Sequence, residues 1–298
     1  YNKIIEISLV ILGNNANNTK ILGYCNRKED VPLNSQILDI AQPFYFERIK
    51  RAYHSMKCAH WHNHFEIYYL LSGERKYFID KHVFTVKTGD VILIPPQVLH
   101  KTTSVSSDEH ERIVINVSLE YVPEDVRPCF LLYHYRIPPK YKAYLEDILC
   151  RIERETHSVD EFSAQLTKQY LFEVLVLLSR LAKTQNTTDR KDTLMEKAAE
   201  YICLNYHKPI TLQTIAQEFS MNKEYFSQKF KEETGFGFNE YLTQVRIANA
   251  VKLLISSDLP ITEVAYQCGF NDSNYFATVF KKIKKVTPTK YRKNGLLV

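Results

Sequence analysis

A segment of this chain repeats itself. Tyr225-Phe226, Phe230-Lys231 and Tyr241 recur fifty positions later as Tyr275-Phe276, Phe280-Lys281 and Tyr291, and Pro209-Ile210-Thr211 recurs as Pro260-Ile261-Thr262. Ile215-Ala216 pairs with Val264-Ala265 at a spacing of forty-nine, so the copies differ by one residue in an internal turn. Two copies of one motif confine the last hundred residues to a repeated supersecondary unit. Each copy reads as helix, tight turn, helix. In the first, Thr211 caps a helix with apolar Leu212, Ile215, Ala216 and Phe219. Ser220-Met221-Asn222 forms the turn, and Asn222 caps a second helix that buries Tyr225, Phe226 and Phe230. The second copy follows suit, with Thr262 as its cap, Gly269-Phe270-Asn271-Asp272 as its turn, and Tyr275, Phe276, Val279 and Phe280 on its second helix. This is a pair of helix-turn-helix motifs.

With the aromatics inward, Glu224, Ser227, Gln228 and Lys231 fall on the opposite face of the first copy's second helix. Asn274, Ala277, Thr278 and Lys281 fall on the equivalent face of the second copy. Short polar, amide and basic side chains of this kind read base edges in a major groove. Between the copies, Asn239 to Ser257 forms one amphipathic helix with Tyr241, Leu242, Val245, Ala248, Leu253 and Leu254 inward. At 1.5 Å per residue it is a rod of roughly 27 Å, which suits two reading helices set into groove segments about 34 Å apart.

The charge distribution agrees. The net charge of +5 lies entirely in residues 190–298, which hold 16 basic and 11 acidic residues. After residue 270 there are seven bases, Lys281, Lys282, Lys284, Lys285, Lys290, Arg292 and Lys293, against Asp272 alone. A basic end interleaved with aromatics points to a polyanion. Lys223, Lys231, Lys281, Lys282, Lys290 and Arg292 are the candidate phosphate contacts.

The rest of the chain is of a different texture. From Ile40 to about Leu119, short apolar runs alternate with turn signals at Ser72-Gly73, Asp80-Lys81, Thr88-Gly89-Asp90 and Pro95-Pro96, the pattern of an all-β barrel or sandwich. After Pro138-Pro139 two helical stripes follow: Tyr144, Leu145, Ile148, Leu149 and Ile152, then Leu166, Tyr170, Leu171, Val174, Leu175, Leu178 and Leu181. The second stripe is long enough for a subunit contact as well as for packing on its own barrel. Between Lys183 and Leu194 no strongly apolar residue occurs, which marks a linker. The expected layout is a β domain over residues 1–137, a helical linker able to dimerise over 138–185, and a helical DNA reader over 194–298. The fold class is therefore two-domain, all-β then all-α.

Composition excludes other classes. With 45% hydrophobic and 24% charged residues the chain is neither disordered nor membrane-embedded, and the apolar stretch Ile4–Leu12 reads as a strand, not a targeting segment. No glycine pattern for nucleotide binding or a hydrolase elbow occurs. Six cysteines without C-x-x-C spacing read as reduced, mostly buried thiols, and the expected compartment is the cytoplasm.

The β region carries a histidine-rich run, Cys58-Ala-His60-Trp-His62-Asn-His64-Phe-Glu66. Read as an extended strand, it places Cys58, His60, His62, His64 and Glu66 on one face, with Trp61, Phe65 and Ile67 on the other.

From about Met195 to Arg292 the chain resembles the AraC/XylS family of bacterial transcription regulators. The matching residues are Ile-Ala-Gln-Glu-Phe at 215–219, Phe-Lys-Glu-Glu-Thr-Gly at 230–235, Arg246-Ile247, Val-Ala-Tyr-Gln-Cys-Gly-Phe at 264–270, and Thr287-Pro288 with Tyr291-Arg292. The family's base-reading positions fall on Glu224, Ser227, Gln228, Asn274, Ala277 and Thr278, the faces already derived. Lys285 departs from the family, which has glycine there as Gly235 does in the first copy, so an altered turn is expected.

The resemblance extends to residues 40–120. Gly89-Asp90 followed by Pro95-Pro96 and His100 resembles the second motif of cupin barrels, and His62-x-His64 followed by Gly73 resembles the first. Metal-binding cupins have a glutamate four or five residues after the second histidine, where this pairing finds Tyr68 and Tyr69. The expectation is a pocket without metal or other cofactor, made by His62, His64, Glu66, Tyr68, Tyr77 and His100 and holding a small effector such as a sugar, with a Zn or Fe site and purely structural histidines as the alternatives. What the resemblance implies is a ligand-responsive DNA-binding activator, not an enzyme, that acts on promoter DNA as a homodimer and contacts RNA polymerase. The competing reading is a dioxygenase-like cupin metalloenzyme fused to the same DNA reader.

Overall fold

The computed structural model describes residues 43–52, 56, 60–105, 109–158, 160–184 and 192–295. The strand expected over Ile4–Leu12, Cys25, Cys58 and most of the 183–194 linker lie outside these residues. The chain forms two compact units, one made of residues up to Met56 with Trp61–Tyr77 and Phe84–Arg190, and one made of Lys57–His60, Phe78–Val83 and Lys191–Val298.

Eight strands occur among the described residues: β1 (Phe44–Arg51), β2 (Phe65–Ser72), β3 (Glu74–Ile79), β4 (His82–Lys87), β5 (Asp90–Ile94), β6 (His100–Ser104), β7 (His110–Val117) and β8 (His134–Arg136). They form a five-stranded sheet in the order β1-β7-β2-β5-β8 and a three-stranded sheet in the order β4-β3-β6. Each expected turn is present. Gly73, Asp80, Gly89 and Gln97 hold positive φ between or beside the strands. Gly73 is required sterically as well, because a Cβ there would lie 2.9 Å from the Glu109 carbonyl oxygen.

The two faces of the larger sheet differ. Phe65, Ile67 and Tyr69 of β2, Val91 and Leu93 of β5, and Ile113, Ile115 and Val117 of β7 form an apolar core with α1 (Pro139–His157) and α2 (Ser163–Ala182). From the helices come Leu145, Ile148, Leu149 and Ile152, then Leu171, Val174, Leu175, Leu178 and Leu181, as their spacing required. Tyr144 stays 47% exposed, and Leu166 and Tyr170 are only half-buried. Since successive strand residues point to opposite faces, Glu66, Tyr68, Arg112 and Asn116 share the other face, which looks toward the smaller sheet. Glu66 pairs with Asn116 and Tyr68 with Val114 across β2 and β7.

The second unit holds seven helices among the described residues: α3 (Leu194–Asn205), α4 (Leu212–Glu218), α5 (Lys223–Thr234), α6 (Phe238–Ser256), α7 (Ile261–Gln267), α8 (Ser273–Lys284) and α9 (Pro288–Gly295). Local chemistry sets their starts. Thr193 and Glu196 form a capping box on α3. Thr211 Oγ1 accepts from the Thr214 N–H, and Asn222 Oδ1 from the Tyr225 N–H at 2.7 Å. Asp272 Oδ1 accepts from the N–H groups of Asn274 and Tyr275 at 2.6 and 2.9 Å. Thr262 does not cap, because α7 begins one residue earlier, after Pro260. In α6 the buried stripe is Tyr241, Leu242, Val245, Ile247, Ala250, Val251 and Leu254, whereas Ala248 and Leu253 are only half-buried.

The turn after α8 is not altered by Lys285. Lys285 takes φ 63° where Gly235 takes 79°, and the same N–H to carbonyl bond closes both helices, from Lys285 to Lys281 and from Gly235 to Lys231. A lysine has accepted the left-handed conformation that glycine adopts without cost.

Candidate nucleic-acid interface and effector site

In α5 and α8 the inward residues are Phe226 and Phe230, and Phe276 and Phe280, all fully buried. Phe226 stacks on Phe230 at 5.6 Å, while Phe276 meets Phe280 and Phe280 meets Tyr291 edge-on at 5.6 and 5.5 Å. These contacts fix the roll of each helix. The opposite faces then present Glu224, Gln228 and Lys231, and Asn274, Thr278 and Lys281, exposed, with Ser227 and Ala277 half-buried between them. Thr278 Oγ1 donates back to the Asn274 carbonyl at 2.9 Å.

Tyr225 and Tyr275 depart from their expected burial, being 49% and 60% exposed. Each immediately precedes a buried phenylalanine and so sits about 100° around the helix from it, at the edge of the reading face. The repeat places both tyrosines alike, a signal already present in the sequence. Lys229 Nζ lies 5.5 Å over the Tyr225 ring and donates to its hydroxyl at 3.3 Å.

Among the candidate phosphate contacts, Lys223, Lys231, Lys281, Lys282 and Lys290 are exposed. Arg292 is half-buried, and its Nε donates to the Leu254 carbonyl at 3.3 Å, so it ties α9 to the end of α6. Arg246 plays the corresponding part near the first copy. Its Nε and guanidinium tip donate to the carbonyls of Tyr206 and Lys208 at 2.8 and 3.0 Å, which fastens the segment after α3 to α6.

In the β unit, the run before β2 is not extended as expected. β2 starts at Phe65, and His62 Nδ1 donates to the His64 carbonyl at 2.9 Å across a bend. The six candidate pocket residues His62, His64, Glu66, Tyr68, Tyr77 and His100 are all buried. The His62 ring stacks on His64 at 3.8 Å and meets His100 edge-on at 4.9 Å. Tyr68 of the large sheet meets Tyr77 of the small one edge-on at 5.0 Å. Burial, reinforced by the neighbouring His62 ring, pushes the His64 imidazole down to about 3 and that of His100 down to about 4, so both are neutral near pH 7.

Further polar groups on this face were not singled out from the sequence. Arg75 is fully buried, and its Nε and Nη1 donate to Thr102 and Ser104 hydroxyls at 3.3 and 2.6 Å. Arg112 lies 5.8 Å over the Tyr68 ring and pairs with Glu47 at 3.6 Å. Asn116 is buried opposite Glu66. The signal that could have found them is strand alternation in β7, where His110, Arg112, Val114 and Asn116 fall on one face.

Glu66 Oε2 lies 3.3 Å from His62 Nε2. Counted with His60 and His62 as the pair, Glu66 stands four residues after the second histidine, where the sequence pairing of His62 with His64 had found Tyr68.

Two family models match the chain, one described as an AraC-like ligand binding domain over residues 43–183 and one as a helix-turn-helix domain over residues 215–294. A curated relative, the HTH-type transcriptional activator RhaR of Salmonella schwarzengrund (strain CVM19633), is 25% identical over 242 residues, covering 78% of this chain and 86% of its own. Among solved structures, ToxT from Vibrio cholerae O395 is 21% identical across 84% of this chain and 97% of its own, with a TM-score of 0.34. The C-terminal domain of the response regulator yesN from Fusobacterium nucleatum is 37% identical across 33% of this chain and 95% of its own, with a TM-score of 0.32. A ligand-binding β unit and a double helix-turn-helix unit, each matched in its own part of the chain, make this protein a member of the AraC family of DNA-binding transcription regulators.

Proposed function

We propose that the chain activates transcription in response to a small hydroxylated effector of the carbohydrate class, bound between the two sheets of the β unit. The observation that carries this reading is the polarity of that interior. Arg112, Tyr68, Tyr77, His64 and Asn116 are gathered where a barrel without a ligand would place aliphatic side chains, while the apolar core lies on the outer face of the sheet. Polar groups taken out of water need hydrogen-bonding partners, and a polyhydroxylated ligand supplies several at once, with tyrosine rings for its apolar faces. A calorimetric screen of sugars against the wild type and the His64→Ala and Arg112→Ala variants tests this. A sugar that regulates transcription yet binds all three proteins equally places the pocket elsewhere.

On the DNA side, Glu224, Ser227, Gln228, Asn274, Ala277 and Thr278 read bases, and the exposed lysines named above hold phosphates. The protein works in the cytoplasm without an enzymatic step, and among the described residues no helix is long and apolar enough to cross a membrane. Its division into a sensor over 1–137, a linker over 138–185 and a DNA reader over 194–298 makes α1 and α2 the dimer contact. Exposed Tyr144, Phe162 and Phe172, on and just before these helices, support a homodimer, and contact with RNA polymerase follows from activation. The alternative, a dioxygenase-like metalloenzyme joined to the same reader, draws on the histidine cluster alone and requires oxygen uptake by iron-loaded protein.

A further inference from the structure

From Glu224 to Phe230 and from Asn274 to Phe280, α5 and α8 repeat one burial pattern residue for residue. At about 100° per residue, the side opposite the buried phenylalanines is centred on Gln228 in α5 and on Thr278 in α8. Glu224 and Lys231 lie along one edge of that side, as Asn274 and Lys281 do in the second copy. The other edge carries Tyr225 and Glu232 in α5 but Tyr275 and Lys282 in α8, all four exposed and each pair seven residues, or about 10 Å, apart. Charge separates the two edges. The Tyr225 hydroxyl accepts from Lys229 Nζ at 3.3 Å, and that lysine stands 3.9 Å from Glu233. Tyr225, Lys229, Glu232 and Glu233 line one hollow with Gln228, so the α5 edge holds two carboxylates against one ammonium. The corresponding residues of α8 are Tyr275, Val279, Lys282 and Ile283, which leave that edge basic. The nearest acid before it in the chain, Asp272, has its Oδ1 on the N–H groups of Asn274 and Tyr275. The Tyr275 ring leans on Phe270 at 6.4 Å and stays 60% exposed.

From this geometry we propose that Tyr275 holds DNA by donating its hydroxyl to a backbone phosphate of the strand that Lys282 also meets, and that Tyr225 has no such part. Tyrosine hydroxyls are regular phosphate donors, and contacts of this kind fix the position of a reading helix without carrying sequence information. A phosphate at the α8 edge meets a lysine, whereas one at the α5 edge meets Glu232 and Glu233 and is repelled. The two copies therefore grip DNA unequally in spite of their common shape. The proposal rests on α8 being a base-reading helix with Lys282 among its phosphate contacts.

The full chain is titrated by fluorescence anisotropy, over a range of salt concentrations, with a duplex enriched from random sequence by the wild-type protein and with a random duplex of the same length. Tyr275→Phe removes one hydroxyl and no charge, and it keeps the ring against Phe270. It is expected to weaken binding to both duplexes by about three- to tenfold. The slope of log affinity against log salt stays as in the wild type, because no counterion release is lost. Tyr225→Phe is expected to bind both duplexes as the wild type does. Far-UV circular dichroism confirms that each variant is folded. A Tyr275→Phe protein that binds as tightly as the wild type, that loses affinity for the enriched duplex alone, or that loses no more than Tyr225→Phe does, overturns the proposal. Asn274→Ala and Lys282→Ala, measured alongside, tell the two levels apart. If either weakens binding while Tyr275→Phe does not, α8 reads DNA and only the tyrosine contact fails; if none of the three changes binding, α8 is not in the groove and both fail.

Discussion

Four residues with positive φ punctuate the two helix-turn-helix copies, and the copies use them in opposite ways. The turn inside the first motif carries Ser220 at 54° and the corresponding turn of the second carries Gly269 at 82°, whereas after the second helices the order is Gly235 at 79° and Lys285 at 63°. A non-glycine residue held left-handed costs roughly 1 kcal/mol, so Lys285→Gly is expected to raise stability by about 0.5–1 kcal/mol. Gly269 has no such latitude. A Cβ there would lie 2.5 Å from the Tyr206 carbonyl oxygen and 3.0 Å from Arg246 Nε, so Gly269→Ala is expected to destabilise by on the order of 1–3 kcal/mol. Urea unfolding of both variants checks the pair, and a Gly269→Ala midpoint at or above that of the wild type would refute the packing account. On the reading face, exposed Gln228 and Asn274 each present an amide able to pair bidentately with adenine. Their replacement by alanine is expected to cost about 1–3 kcal/mol on the specific site and little on random DNA. Equal losses on both DNAs would make them positioning residues.

Helix α8 combines both tasks within twelve residues. Its buried side is Phe276 and Phe280, its first turn is capped by Asp272, and its last turn carries Lys281, Lys282 and Lys284. Basic groups in the last turn complement the helix dipole, and those that face out also meet the polyanion. Lys282→Ala is expected to weaken binding to all duplexes alike and to reduce the slope of log affinity against log salt by about 1, with the fold unchanged. Filter-binding or anisotropy titrations over a range of salt concentrations measure it, and an unaltered slope would remove Lys282 from the phosphate contacts. Arg292 belongs to a different class in spite of its charge. Its bond to the Leu254 carbonyl makes its loss a matter of stability before it is one of affinity.

For the whole molecule, sensing and DNA binding are linked only if the effector binds the DNA-competent arrangement with a different affinity from the other arrangement. By reciprocity, operator DNA must then change effector affinity by the same factor that effector changes operator affinity. Calorimetric titration of the regulating ligand with and without saturating operator is expected to show a 5- to 150-fold change, or about 1–3 kcal/mol of coupling. Identical affinities in the two titrations would mean that the ligand does not regulate DNA binding, and activation would have to be read at RNA polymerase instead.

The DNA reader was legible in the amino-acid sequence because its determinants are local. Helical spacing alone sets which of Gln228 and Phe226 faces out, and Asn222 and Asp272 cap within three residues of themselves. Tyr225 and Tyr275 escaped because an aromatic side chain beside a buried phenylalanine reads as core until the packing partners are known. The β unit was legible as strands and turns, for the same local reason, but not as a site. Which histidines meet depends on where β2 begins and on the approach of His100, some forty residues downstream, and neither is encoded in the alternation of the run itself. Arg75 and Arg112 entered the interior through the parity of β3 and β7, and a shift of one residue in register would have turned them to the opposite face. Helix periodicity is a property of one segment, whereas a pocket between sheets is a property of the pairing among several, and only the tertiary structure decides that pairing.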